Sequence, residues 1–354
     1  MKSFAGLVAA WAAVAGYLLA QQPNVENARF ETRPLSGGLQ TTLRAILNGQ
    51  SAPGWIGYAV PIIPGDRNLC CWNDDERGCY LEPRTGPQRF SGTPNLPVKL
   101  EGPTHLVVLY RIEGHEIDKI RTFTPECSLD AGGLQFVWLT GVSAAESVRY
   151  LLAIAGNAGS GSRDQLRKAN GAVAAIAMHA DTTADTALKE LSATSQPEQV
   201  RRQAIFWLAS ARGRPGFEVV SRILKEDPSD RVREHAIFAL MEQKESGALD
   251  AVIAAAHNDK SPRVRGQALF WLAQKAGQKA ATAAISDALA NDPETEVKKK
   301  AVFALSQMPA AEGVPLLIQL ARDNRNPAIR KQAVFWLGQS KDSRALAFIE
   351  DMLK

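Results

Sequence analysis

Five times after residue 199 the same order of apolar and polar positions returns. The copies are VRRQAIFWLAS from Val200, VREHAIFALME from Val232, VRGQALFWLAQ from Val264, VKKKAVFALSQ from Val297 and IRKQAVFWLGQ from Ile329. Successive starts are 32, 32, 33 and 32 residues apart. A fixed period in this range marks stacked units that bury their apolar faces on one another. On a wheel of about 100° per residue, Ala268 lies about 40° from Val264, Leu272 about 80° and Trp271 about 340°. These four share the face predicted to pack on a partner helix, and Leu269 at about 140° widens it. Phe270, at about 240°, points elsewhere, beside Gly266, Gln267 and Gln274.

Each unit is predicted to hold two helices, the second carrying the motif. The first reads as the shorter, for example Phe217 to Leu224 or Val314 to Leu320, with Pro315 in its first turn. Ser229, Ser261 and Asn326 suit the N-cap of the second helix, and Pro262 and Pro327 the position after it. The residue following each Phe alternates: Trp207, Ala239, Trp271, Ala304, Trp336. Large against small in successive layers is how stacked units interdigitate. A single helix from Ser343 to Leu353 closes the array.

Residues 24–141 have a different texture. Gly54 to Ile63, His105 to Ile112 and Leu134 to Leu139 read as buried strands. Glu113-Gly114 turns the second of these into a hairpin with Ile117 to Phe123. Leu39, Leu43, Ile46 and Leu47 recur at helical spacing, so one helix is expected to pack on the sheet. Ser143 and Glu146 form a capping-box pattern that opens a helix through Ile154. Residues 157–162 read as a flexible connection, followed by a degenerate helical pair over 163–179 and 182–191.

Composition adds three constraints. With 41 basic and 37 acidic residues the net charge is +4, too balanced to argue for nucleic acid. The first twenty residues carry Lys2 and then an apolar run to Ala20, the form of a signal peptide cleaved after Ala20, the alternative being an uncleaved anchor, for which the run is a little short. That places the protein in the periplasm or outside the cell, with no later segment apolar enough to span a membrane. All four cysteines, Cys70, Cys71, Cys79 and Cys127, precede the repeats. In an exported chain such a set reads as two disulfides, not as a metal site, for which C-x2-C pairs are missing. A bridge between adjacent Cys70 and Cys71 is strained, so one of them is expected to meet Cys79 and the other Cys127.

Candidate partner-binding residues lie on the Phe side of the second helices. They are Phe206, Phe238, Phe270, Phe303 and Phe335, with Gln203, His235, Gln267, Lys300 and Gln332 one turn earlier. The row reads either as a binding groove or as packing between neighbouring units. An unbroken exposed Phe row is an aggregation hazard, which favours packing. No H-E-x-x-H, G-x-S-x-G or phosphate-loop motif occurs, so neither a catalytic residue nor a metal or cofactor site is assigned. Asp74-Asp75-Glu76 reads as a solvated loop. The competing reading is an enzyme or metal-binding protein with its site in the Cys-containing domain, around Cys70, Cys71, His115 and Asp118.

The motif residues resemble HEAT-like repeats, in particular the short form found in phycobilisome lyase subunits, over residues 180–354. The pattern sets an acidic or small polar residue six before a basic one: Ser195, Asp227, Asp259, Asp292 and Asn324 before Arg201, Arg233, Arg265, Lys298 and Arg330. The resemblance implies that these residues form a hydrogen-bonded ladder between repeats, weakened where Ser195 and Asn324 lack the carboxylate. Lyase chemistry does not transfer, since nothing in the chain supplies bilin attachment. The expected architecture is mainly α: a signal peptide (1–20), a small disulfide-bonded α+β domain (21–141), a helical transition with a degenerate repeat (142–195) and an α-solenoid (196–354). The expected function is an exported, non-enzymatic scaffold or adaptor for a protein or peptide.

Overall fold

The computed structural model describes residues 22–65, 69–73, 76–83, 102–157, 161–275 and 278–354. The expected signal peptide lies outside them, as do Asp74, Asp75 and most of the connection after Asn157. The chain divides into two compact units, 1–207 and 208–354.

The first unit is built on a mixed five-stranded sheet in the order β2-β9-β3-β6-β7. Its strands are β2 (Arg29–Pro34), β3 (Gly54–Pro61), β6 (His105–Glu113), β7 (Glu116–Phe123) and β9 (Gln135–Thr140). β2 and β3 both run parallel to β9, so α1 (Leu39–Gly49) is the crossover between parallel strands. β6 and β7 form the expected hairpin, turning at Gly114 and His115 with φ of 56° and 68°. A second sheet joins β1 (Asn24–Glu26), β8 (Ser128–Asp130), β5 (Glu76–Tyr80) and β4 (Trp72–Asn73). Trp55, Val107, Leu109, Phe123, Phe136 and Trp138 share one core with Leu129 and with Cys70, Cys79 and Cys127. Cys70 is bridged to Cys127 and Cys71 to Cys79.

The helices that cover the main sheet are α2 (Ala144–Gly156) and α3 (Arg163–Met178). α1 buries Leu39, Leu43 and Ile46 and packs against α2, which touches β3. α3 packs on β7 as well as on α2 and α4 (Thr183–Ser192), so it serves the sheet and not only a repeat. Gly171 makes this approach possible, because a Cβ there would lie 2.8 Å from the Ile120 carbonyl oxygen. Ser143 and Glu146 form the expected capping box. The chain then enters α5 (Glu198–Ala211).

The second unit is a run of helical pairs: α6 (Gly213–Glu226) with α7 (Asp230–Met241), α8 (Ala248–Asn258) with α9 (Pro262–Lys275), α10 (Gln278–Asn291) with α11 (Thr295–Gln307), and α12 (Ala310–Asp323) with α13 (Pro327–Gln339). α14 (Ser343–Met352) closes it. Val264, Ala268, Leu269 and Leu272 are fully buried, the face predicted by the wheel. Ser229 and Asn326 cap α7 and α13. Two details differ from the sequence reading. The first helix is the shorter member only in the α8–α9 pair (11 residues against 14); α6 and α12, with 14 residues each, are longer than their partners. Pro315 therefore lies in the second turn of α12, where it removes the N–H that would bond the Ala311 carbonyl.

An arginine–aspartate ladder ties neighbouring pairs. Arg233, 1% exposed, donates from Nε and Nη2 to both Asp259 oxygens at 2.9 Å, and from Nη1 to the Asp227 carbonyl at 2.7 Å. Arg265 repeats the geometry one unit on, reaching both Asp292 oxygens (2.7 and 3.0 Å) and the Asp259 carbonyl (2.8 Å). The Asp259 and Asp292 carboxylates also accept from the backbone N–H two residues later, which turns the chain into the second helix. Burial pushes the Asp292 carboxyl up, but Arg265 and the Glu294 N–H outweigh it and hold the group below the usual carboxylate range. Lys298 breaks the series, its Nζ reaching the Ala290 carbonyl at 3.2 Å. Arg330 bonds the carbonyls of Asn324 and Arg325.

Candidate functional site

The residues singled out as a binding stripe come to one side of the second helices. In the first unit, Gln203 and Phe206 are half-buried on α5, with Phe206 edge-on to Trp207. Arg201 there donates to the Ser192 carbonyl at 3.2 Å. In the second unit the rings form a continuous chain. Phe238 meets Trp271 (centroids 5.2 Å apart), Trp271 meets Phe270 (5.3 Å), Phe270 stacks on Phe303 (5.8 Å, interplanar 2°) and Phe303 meets Trp336 (4.9 Å). Phe335, edge-on to Trp336, ends it 54% exposed.

This arrangement explains the alternation after each Phe. Where the next unit carries Trp, the Phe meets the indole; where it carries Ala304, Phe270 lies directly on Phe303. Ala239 and Ala304 are fully buried beneath the row. The Phe side chains thus pack on the adjacent unit and are still partly exposed, Phe238, Phe270 and Phe303 being half-buried. His235, Gln267 and Gln332 are half-buried beside them and Lys300 is exposed. Lys300 lays its stem on Gly266, where a Cβ would come within 3.0 Å of the lysine Cγ. That glycine lets α9 and α11 approach along the stripe.

Trp271 is not the core residue that the wheel suggested. It is half-buried, and its Nε1 is shielded without a hydrogen-bond partner. Its indole leaves the Val264–Ala268–Leu272 face to lie on Phe238 of the preceding pair. Trp271→Ala is therefore expected to destabilise the array by about 2 kcal/mol, below the ~3–5 kcal/mol of a fully buried Trp. A chemical denaturation curve checks this, and a variant as stable as its parent would assign the indole to partner contact alone.

The first unit contains one catalytic-looking constellation that sequence reasoning missed. Ser147 Oγ lies 2.8 Å from His179 Nε2 and 2.7 Å from the Tyr58 hydroxyl, which lies 2.7 Å from that of Tyr110. His179 Nδ1 is 2.7 Å from the Ala175 carbonyl. All four side chains are fully buried, so the network joins β3 and β6 to α2 and the end of α3 without access for a substrate. Burial pushes both tyrosine hydroxyls well above their ordinary pKa, which keeps them neutral. Nothing local marks these residues, because the four come together only through tertiary packing. The alternative site around Cys70, Cys71, His115 and Asp118 is not assembled: His115 Nδ1 sits on the Leu47 carbonyl, Asp118 pairs with Arg167, and both cysteines are bridged.

A family model for HEAT repeats matches residues 184–273 and 282–354. These two stretches are HEAT repeats. No curated protein matches the chain. Solved structures similar to part of it include the CpcE–CpcF complex of phycocyanin lyase from Nostoc sp., at 18% identity over 45% of this chain and 98% of that one, with a TM-score of 0.34. Human deoxyhypusine hydroxylase is 16% identical over 59% and 90%, with a TM-score of 0.25. Escherichia coli YibA is 24% identical over 48% and 64%, with a TM-score of 0.33. Likeness at this level bears on neither chemistry nor partner. The HEAT array is a scaffold-like fold suited to binding proteins. Within it the ladder and the stripe use different positions of the second helix, so Arg265 ties repeats together while Gln267 and Phe270 remain available.

Proposed function

We propose that the protein is an exported, non-enzymatic scaffold that holds a protein or peptide along the stripe of its HEAT repeats. The observation that carries this reading is the row of partly exposed aromatic rings from Phe238 to Phe335, bordered by His235, Gln267, Lys300 and Gln332. Amphipathic rings bordered by hydrogen-bonding side chains, with Lys300 the one lysine among those named, suit a polypeptide. They lack the cluster of basic side chains that a phosphate backbone needs. Export is supported by the signal-like start and by two disulfides, which persist in oxidising compartments.

The test replaces Gln267, Lys300 and Gln332 together with Glu. These are surface changes, so the melting temperature is expected to stay near that of the parent. Capture of partners from an envelope fraction, compared band by band with the parent, is expected to fall. Undiminished capture by the folded triple variant would move the binding surface off the stripe.

A further inference from the structure

We infer that the Cys71–Cys79 bridge is a thiol–disulfide exchange site that accepts an incoming thiolate at Cys71 and takes a dithiol as its reductant. The inference is independent of the scaffold reading. The two disulfides begin at adjacent residues but differ in surroundings. Cys127 and Cys79 are fully buried and Cys70 is 9% exposed, whereas Cys71 is half-buried at the border of the core. Thr124, itself fully buried, lies against both sulfurs of the Cys70–Cys127 bridge, 3.8 and 3.4 Å away. Of the four sulfurs, only that of Cys71 belongs to a residue that solvent reaches appreciably.

Two groups around Cys71 suit exchange. Arg121 Nη2 lies 3.6 Å from Cys71 Sγ. Its guanidinium is held there by the Tyr80 carbonyl at 2.9 Å and by the Phe123 ring, 4.7 Å from the centroid. A fixed cation beside a sulfur draws in a thiolate and stabilises the thiolate that later departs. On the other side, the Cys71 backbone N–H donates to Cys79 Sγ at 2.8 Å. That donor is in place for negative charge on Cys79.

The steps follow from these positions. One thiolate of the dithiol attacks Cys71 Sγ; the Cys71–Cys79 bond breaks and Cys79 leaves as a thiolate held by the Cys71 N–H. The second sulfur of the reductant, deprotonated, then attacks its own sulfur in the mixed disulfide and expels Cys71 as a thiolate beside Arg121. The dithiol gives up two electrons and two protons and becomes a disulfide; Cys71 and Cys79 become thiols. β5 keeps its pairing with β8 and Cys70 keeps Cys127, so opening loosens the β4–β5 segment and leaves the main sheet tied.

The experiment exposes the folded full-length protein to dithiothreitol, quenches samples with an alkylating agent and maps the four cysteines by peptide mass. Cys71 and Cys79 are expected to be labelled together while Cys70 and Cys127 remain bridged. Arg121→Gln is expected to slow this phase about tenfold or more, and Arg121→Lys to restore most of it. With glutathione, a monothiol probe, the trapped adduct is expected on Cys71. An adduct on Cys79, release of Cys70 and Cys127 first or at the same rate, or an Arg121→Gln protein that folds and is reduced at the parent rate would each overturn the inference. Should Arg121→Gln not fold, the order of release and the adduct position in the parent decide alone.

Discussion

Asp259→Ala is expected to destabilise the array by about 3–5 kcal/mol, because it takes the bidentate carboxylate from a buried guanidinium. Arg233 is 1% exposed and spends two of its donors on this carboxylate. Asp230 Oδ1 at 2.8 Å and the Asp227 carbonyl would remain, but neither replaces a bidentate anion. The same change frees the Ser261 N–H that turns the chain into α9. Urea unfolding followed by helical circular dichroism reads the loss. Replacing both partners, as Arg233→Met with Asp259→Leu, is expected to recover much of it, since the charge and its partner leave together. A single variant within about 1 kcal/mol of the parent would show that water reaches the guanidinium.

Removing the Cys70–Cys127 bridge by a double Cys→Ser change is expected to cost the first unit about 4 kcal/mol, against about 2.5 kcal/mol for Cys71–Cys79. The difference comes from the loops the bridges close, with sequence separations of 57 and 8. The longer one spans β6 and β7 and anchors the core that joins the two sheets. Amide hydrogen exchange suits the measurement, because the chain has two compact units and one global transition would blur them. Protection in β6 and β9 is the readout. Equal losses from the two double variants would mean that native-state strain, not loop closure, sets their contributions.

The repeats were legible because each unit rewrites the same local rule: an apolar face at helical spacing, a turn residue, a basic residue six positions on. Local rules reach no further than a turn or two, and the misreadings follow from that. Trp271 shares a wheel sector with Val264, yet an indole is long enough to leave that sector for Phe238 of the preceding pair. α3 was read as a degenerate repeat helix; what sends it to the sheet is Gly171 against Ile120, a contact with no signature within the helix. β1 and β8 are three residues each and pair across more than a hundred positions, from Asn24 to Ser128, so neither stands out alone. β2 reads as polar because it is an edge strand with most of its residues exposed. The rings of the stripe recur at one position of each repeat, but whether they face solvent or their neighbours depends on a spacing of helices that a single period does not reveal.

The break at Lys298 has a mechanical meaning. Arg233 and Arg265 act as ionic cross-ties between successive turns of the solenoid, each gripping the carboxylate ahead of it. At the following tie the grip is missing: Lys298 reaches back to Ala290, and Asn324 offers an amide where Asp259 and Asp292 offer charge. Pulled from its C-terminal end, the array would yield there first. α12, α13 and α14 would peel away as a block while the turns behind the Arg265–Asp292 tie still held. The second unit would thus have a weak link before α12, at which tension could be let go without loss of the rest of the stack.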